Sequence, residues 1–508
     1  VRKAVIAVPP VRDFYFTPRR ATALGAGVLD RELKKTGWKT SLLNLPLMEK
    51  PRTVPLPDEL EYLNSSIIPG ETGPLSWFTA FRRFGPLFSD AAEIIAREKP
   101  DTLFISSFAW AYAEEARRLA EAAARRMPEL PIVIGGHGPS SLPEYFLNAS
   151  HPVFPEKPLF TRVISGEIEG RGEVLKINES GIRYLDLRDL KSNREIKPVA
   201  GESVIRAGRR SISIILTRGC PKKCRFCSNH ICHGRIFRSS PPNLWEEEVI
   251  RIAEQISGRN GKIHLNIEDD NILFLKKDFF DFLGSLKRQF SDITFTAENG
   301  LDYMFLEEND INRLKKNGFT HLNLSLGVLS DNTRTNENRT GNTEKLAKLI
   351  QRCREVDLPL TTHFICGLAG DSSKDIVQTL RFLDGLPTQI GISNFYPVPG
   401  LEGFTDTEVF LNNPPRLALG SSVYPWTGAL SSTQLITAFR LSRWSNFRKK
   451  MERSLLPDTE FSIEKELYSR IKKSHQLHTI HRERGKDRER VVVPVEHLDE
   501  TMVAEFFS

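Results

Sequence analysis

Thr217-Arg218-Gly219-Cys220-Pro221-Lys222-Lys223-Cys224-Arg225-Phe226-Cys227 sets three cysteines in a CxxxCxxC spacing and follows directly on the apolar run Ser213 to Leu216. A short apolar run of this kind reads as a buried strand, so the three thiols lie on the loop that leaves its carboxyl end. Half of the chain's six cysteines fall within these eight residues, which argues for metal rather than disulfides and for a reducing, cytoplasmic compartment. Three thiolates on one loop can hold three irons of a [4Fe-4S] cube and leave the fourth iron open to a ligand. The competing reading is a zinc site, with His230, Cys232 or His233 as fourth ligand. Position favours the cube: a zinc knuckle belongs in a small irregular module, whereas this loop follows a strand and precedes five further strand-helix units.

Those units are strands at 262–266, 293–297, 321–325, 360–366 and 390–395, alternating with helices at 244–256, 277–289, 307–317, 343–356 and 373–385. With the strand before the cysteines they predict a partial (β/α)6 TIM-like barrel over 208–402, its chemistry on the loops after the strands. Upstream, strands at 5–8, 40–45, 102–106 and 132–134 alternate with helices at 21–35, 89–98 and 113–126. This is the pattern of a parallel sheet covered on both faces, a Rossmann-like domain over 1–165. Ligands of such sheets lie beyond the carboxyl ends of the strands, here Pro9-Pro10, Ser106-Ser107 and Gly135-Gly136-His137-Gly138. The run at 1–8 is read as the first core strand, not a signal peptide. The proline-rich stretch 48–86 is read as a lid or surface excursion, 166–207 as a connector with two hairpin-like strands, and 403–508 as a C-terminal accessory domain. Cys353 is read as core, and Cys366 as core or facing the barrel mouth.

The cysteine loop resembles the signature of the radical S-adenosylmethionine (radical SAM) superfamily, CxxxCx(aromatic)C after the first barrel strand, with Phe226 in the aromatic position. The resemblance implies that Cys220, Cys224 and Cys227 hold a [4Fe-4S] cluster whose open iron binds S-adenosylmethionine, cleaved by one electron to a 5′-deoxyadenosyl radical. A flavodoxin- or ferredoxin-like electron donor is implied with it. The same resemblance implies SAM contacts from Asp269 and Asp270 after the second strand, Glu298 and Asn299 after the third, and Ser325 after the fourth. It adds Arg339 of the Asn338-Arg339 pair, Gly367 of Gly367-Leu368-Ala369-Gly370-Asp371, and Tyr396 before Pro397. Gly327-Val328-Leu329-Ser330 lacks the carboxylate common at its place in the family, so the resemblance carries over no ribose contact from that position.

Ile132 to Gly138, Leu24 to Leu29, Ser165-Gly166-Glu167 and Gly234 to Arg238 resemble the cobalamin-binding-domain branch of that superfamily, over about 1–400. This implies cobalamin over the carboxyl edge of the first sheet, near Ser106, Ser107, Gly135, Gly136 and His137, and C-methylation of a small molecule or lipid precursor. An Asp-x-His-x-x-Gly motif, which supplies a lower cobalt ligand in other cobalamin proteins, is absent from the sequence. Two further readings stand beside this one. The first is a cobalamin-independent radical oxidoreductase, cyclase or rearrangement enzyme. The second is a zinc-dependent nucleic-acid-binding module.

Charge does not favour the last. Lys and Arg exceed Asp and Glu by 71 to 64 in 508 residues, too mild a surplus to require a polyanionic partner, so no nucleic acid is expected. Eight Lys and Arg between Arg470 and Arg490, set against Glu483, Asp487 and Glu489, read as a solvated helix face, as do His475, His478 and His481. No apolar run approaches the roughly 20 residues of a membrane-spanning helix.

Overall fold

Ala4, Val5, Ile6 and Ala7 are all fully buried in a computed structural model of the chain. A strand that is apolar on both faces needs cover on both, and strand β1 (Lys3–Val8) has it. Val5 and Ala7 face one apolar cluster, Ala4 and Ile6 another. The structure describes all residues except 17–22, 79, 176–182, 189–195, 202, 257–261, 454–461 and 483–489.

Around β1 the first sheet adds β2 (Lys39–Asn44), β3 (Thr102–Ser106), β4 (Ile132–Gly135), β5 (Arg162–Gly166) and β6 (Tyr184–Leu187). All are parallel, in the order β6-β5-β4-β3-β1-β2. Because β2 and β3 leave on opposite sides of β1, a crevice opens at their carboxyl ends, where such sheets bind ligands. Helix Ala113–Arg126 buries Ala116, Leu119, Ala120 and Ala123 on one stripe against helix Phe88–Arg97. The stretch read as a connector is divided between two sheets. Its β6 extends the first, while Val199–Ala200 and Val204–Arg206 pair antiparallel with the first barrel strand.

The barrel strands are β7 (Arg209–Ile215), β8 (Ile263–Ile267), β9 (Thr294–Thr296), β10 (Leu322–Gly327), β11 (Leu360–Cys366) and β12 (Gln389–Asn394). They form two parallel triplets, β7-β8-β9 and β10-β11-β12, joined by the parallel bridges Phe295–Phe319 and Leu301–Leu324. Burial alternates strictly along β11 and puts Cys366, with no exposure, on the face packed into the apolar cluster and opposite His363, so this thiol does not open to the barrel mouth.

Two expectations are corrected by packing. Stretch 48–86 is no lid: Leu60, Leu63, Leu75, Trp77 and Phe81 enter the barrel's apolar cluster, and the Tyr62 hydroxyl donates to the Ser422 carbonyl. The C-terminal region shares that cluster through Leu435, Leu441, Trp444 and Phe447. Helix Ser432–Arg453 also covers the open edge of β12, where Asn446 exchanges hydrogen bonds with the backbone of Ile390 at 2.7 and 2.9 Å. His478 and His481 lie on strand His478–Arg482 rather than a helix, and His475 ends the preceding helix stacked on Phe507. Residues 483–489 of the basic stretch lie outside the described residues. No helix among the described residues is long and apolar enough to cross a membrane.

One buried ion pair fastens stretch 48–86 to helix Ser432–Arg453. Arg440, 1% exposed, makes a two-pronged bridge to the Glu71 carboxylate and donates to the Leu75 carbonyl at 3.1 Å. Removing one partner strands a buried charge, so Glu71→Ala is expected to cost about 3–5 kcal/mol. The urea-unfolding midpoint should fall, and the double variant Glu71→Leu/Arg440→Met should recover most of the loss.

Candidate active site

Beyond β7 the chain leaves its ladder, and the N–H groups of Leu216, Thr217 and Gly219 need other acceptors. Two adjacent carboxylates after β8 provide them. Asp269 accepts from Leu216 N at 3.1 Å, Thr217 N at 2.6 Å and the Thr217 hydroxyl at 2.6 Å. Asp270 accepts from Gly219 N at 2.7 Å. Burial pushes the Asp269 carboxyl up to about 6 against the pull of these hydrogen bonds. Both residues expected to contact SAM also hold the cysteine loop by its backbone, Asp269 with both carboxylate oxygens and Asp270 with Oδ2.

Thr217–Arg218 pairs antiparallel with Arg238–Ser239 and closes the loop at its base. Gly219 has φ +78°, and a Cβ there would stand 2.3 Å from the Ile236 carbonyl oxygen, so only glycine fits the turn. Farther out, Arg225 N donates to the Glu337 carbonyl at 3.1 Å and Asn338 Nδ2 to the Lys223 carbonyl at 3.1 Å. Lys222 forms an ion pair with Asp302, whose Oδ2 also meets Arg339 at 3.3 Å. The second arm of Arg339 donates to the Ser325 carbonyl at 2.7 Å. Arg339, expected to clamp the SAM carboxylate, is thus engaged by Asp302 and Ser325, since a buried guanidinium requires a counter-charge. Asp302 escaped the sequence reading, its one local signal being an N-cap position before the turn Tyr303–Phe305.

Cys224 is buried, Cys220 and Cys227 are partly so, and none is in a disulfide. Burial raises the Cys220 thiol and takes Cys227 up to about 11, with the neighbouring cysteines adding to the shift. Metal binding removes such protons outright. Among the described residues these three sulfurs do not form a group close enough for one ion. A cube presents its irons at separate corners and needs thiolates spread more widely than the donors of a single ion, and the spacing of these three sulfurs fits that requirement. The barrel interior below is polar: Asn266 Oδ1 accepts from Glu298 N at 2.9 Å, and His363 Nε2 lies 3.0 Å from Asn323 Oδ1. Asn299 at the rim donates to the Glu268 carbonyl at 3.1 Å, and Phe226 is half-buried on the cysteine loop. Gly367 N donates to Asp371 at 2.8 Å, and Tyr396 stands 45% exposed beyond β12.

Across from this loop, at the carboxyl edge of the first sheet, lies a cavity of about 340 Å³. Val8, Ser106, Gly135, Gly136 and His137 contribute from the sheet side, Arg218, Cys232 and His233 from the barrel side. Ser106 and Gly135 to His137 are therefore brought together as expected. Ser107 is not: it lies beneath the turn, and a Cβ on Gly136, at φ +109°, would stand 2.6 Å from its carbonyl oxygen. Glu167, just past β5, joins the two halves by bonding Arg238 at 2.5 and 2.9 Å and His233 Nδ1 at 2.6 Å. Burial alone would raise this carboxyl, but His233 and Arg238 outweigh it and bring it down to about 2. His137, at 5.4 Å ring to ring from His233, is pushed down to about 4 by burial and by that neighbour.

A doubly covered parallel sheet faces a six-stranded barrel, and a loop with three cysteines follows the first barrel strand. Residues 214–383 match the Radical SAM superfamily, about a third of the chain. Members hold a [4Fe-4S] cluster and S-adenosylmethionine. Among curated proteins, the chain is 28% identical over 213 residues to bacteriochlorophyllide d C-8(2)-methyltransferase of Chlorobaculum tepidum, covering 40% of this chain and 46% of that protein. It is 21% identical over 249 residues to the ribosomal protein uS12 methylthiotransferase RimO of Leptospira biflexa, covering 47% and 54%. The chain thus spans about half the length of the curated relatives it matches. Its fold is similar to the radical SAM methyltransferase TsrM of Kitasatospora setae, solved with cobalamin and a [4Fe-4S] cluster bound. The TM-score is 0.51 at 12% identity, over 78% of this chain and 73% of that one. It is also similar to the cobalamin-dependent radical enzyme OxsB with aqua-cobalamin and S-adenosylmethionine bound, at TM-score 0.50 and 13% identity, over 81% and 56%.

Gly219→Ala is expected to leave the far-ultraviolet circular dichroism unchanged while anaerobic reconstitution yields less than about half the wild-type iron and sulfide, because the added Cβ meets backbone rather than a flexible side chain. A full complement in the variant would mean that the turn does not set the loop.

Proposed function

We propose that this protein is a cobalamin-dependent radical SAM methyltransferase that methylates an unactivated carbon of a small organic molecule or lipid precursor. One observation carries the reading: the cluster loop and the cavity at the first sheet's carboxyl edge meet at one seam, with Arg218 both the residue before the turn at Gly219 and part of the cavity wall. When bound there, the cluster and SAM supply a 5′-deoxyadenosyl radical and cobalamin carries the methyl group.

The chain's own residues do the positioning. Asp269 and Asp270 hold the loop by its backbone, which leaves the three thiols free for iron. The Glu167–Arg238 pair, each side chain 8% exposed, closes the seam against water and so protects a radical from quenching. Gly135 and Gly136 keep side chains away from the sheet edge, as a large flat ligand lying over it requires. Apolar walls from Val8, Phe104, Val133 and Ile164 suit the body of such a ligand. The similar folds of TsrM and OxsB, both solved with cobalamin bound, support the same assignment for this cavity. A low-potential donor of the flavodoxin or ferredoxin type supplies the electron.

Anaerobically reconstituted protein incubated with hydroxocobalamin is expected to carry a corrin visible spectrum through gel filtration and to release 5′-deoxyadenosine from SAM under a low-potential reductant. Cys224→Ala should lower that release by at least about a hundredfold, since no other thiolate replaces the lost iron ligand. Failure to retain the corrin removes cobalamin from the assignment. Undiminished cleavage by Cys224→Ala removes the radical chemistry.

A further inference from the structure

We infer that His137, Cys232 and His233 form a second metal site, for a divalent transition-metal ion of the zinc class, separate from the three-thiolate loop and set across the seam between the two sheets. One ligand atom from each of the three lies within 4.8 Å of the others, and among the described residues this is the one group of His, Cys, Asp and Glu that converges so closely. The donors come from independent parts of the fold. His137 opens the short helix His137–Ser141 after β4, while Cys232 and His233 end helix Asn229–His233, which follows the cysteine loop. Nothing in their sequence spacing brings position 137 to positions 232 and 233.

Around the group stands the outer support that metal-ligating histidines commonly have. Nδ1 of His233 is held by Glu167 at 2.6 Å, and Arg238 fixes that carboxylate from the other side. The ring is therefore locked in orientation with Nε2 left for an ion, as where a carboxylate stands behind a ligating histidine. Cys232 is 6% exposed, and among the described residues its sulfur has the Ser140 hydroxyl, at 3.8 Å, as hydrogen-bond partner. Two imidazoles and one thiolate are a donor set that zinc accepts in tetrahedral sites. All three residues line the cavity, so the fourth position faces it. A corrin-bound cobalt offers the protein only an axial position on each face, whereas three convergent donors answer to a bare ion. Bound there, the ion would tie the first sheet to the barrel beside the Glu167–Arg238 pair. The site stands whether or not the cavity takes cobalamin.

Full-length protein, reconstituted with iron and sulfide, incubated with one molar equivalent of Zn²⁺ and desalted, is expected to keep about one zinc per chain beside an undiminished iron content. The zinc K-edge spectrum should show a single sulfur and two imidazoles. Cys232→Ser and His137→Gln should each lower zinc retention by more than about tenfold, the least that even outer-shell partners typically contribute, with iron per chain unchanged in the same samples. Zinc absent from the wild type overturns the site, as does equal retention by both variants. So does a sulfur-rich spectrum with iron displaced, which places the ion in the Cys220–Cys227 loop. The wild-type spectrum decides between these even if a variant fails to fold.

Discussion

At the end of β7 three backbone N–H groups face a buried space with no neighbouring strand to receive them, and the carboxylates of Asp269 and Asp270 take them up. The placement of the cluster loop depends on this capping. Without it the chain would have to carry unsatisfied donors in the protein interior, each costing on the order of 1–3 kcal/mol. With it, the loop is stiff at its base, and Lys222, Arg225 and Asn338 need only tether its outer part to the loops after β9 and β10. The thiols are positioned by backbone satisfaction rather than by contacts of their own.

A second constraint is closure between the two sheets. The first ends in small residues, and the barrel faces it with Arg218, Cys232, His233 and Arg238. Glu167 is the buried counter-charge for that cationic and imidazole face, and Glu169 repeats the device by meeting Arg31 at 2.6 Å and Arg218 at 3.6 Å. Burying such charges is tolerable only where partners are complete, which makes the seam specific in register. Helix Ser432–Arg453 performs a similar closure at β12, an edge strand that would otherwise face solvent, and stretch 48–86 pairs with strand His478–Arg482 through Glu71 and Thr72.

Legibility followed periodicity. The twelve main strands and the helices between them carry their own apolar repeats, and β11 was legible over its full length, from Leu360 to Cys366. Stretch 48–86 looked like an excursion because its apolar residues are irregularly spaced, yet Leu60, Leu63 and Leu75 are fully buried against the barrel. Its burial depends on residues some 360 positions away, as the Tyr62 to Ser422 hydrogen bond shows. At the site, the residue types after each strand were legible but not their allegiance. An aspartate after β8 suits an ammonium as well as a backbone amide, and only the geometry shows the amides to be nearer. Asp302 and Glu167, which join separate loops, carry no local pattern that marks them.

The amino-acid sequence by itself determined the strand-helix alternation, the CxxxCxxC loop after a barrel strand and hence the cluster chemistry, because each depends on residues within one turn or one strand of each other. Tertiary structure alone decided which side chains serve the loop and which face the cavity, and that His137 meets Cys232 and His233. Those outcomes depend on strand order and on the matching of buried charges between segments distant in the chain, and no local spacing encodes either.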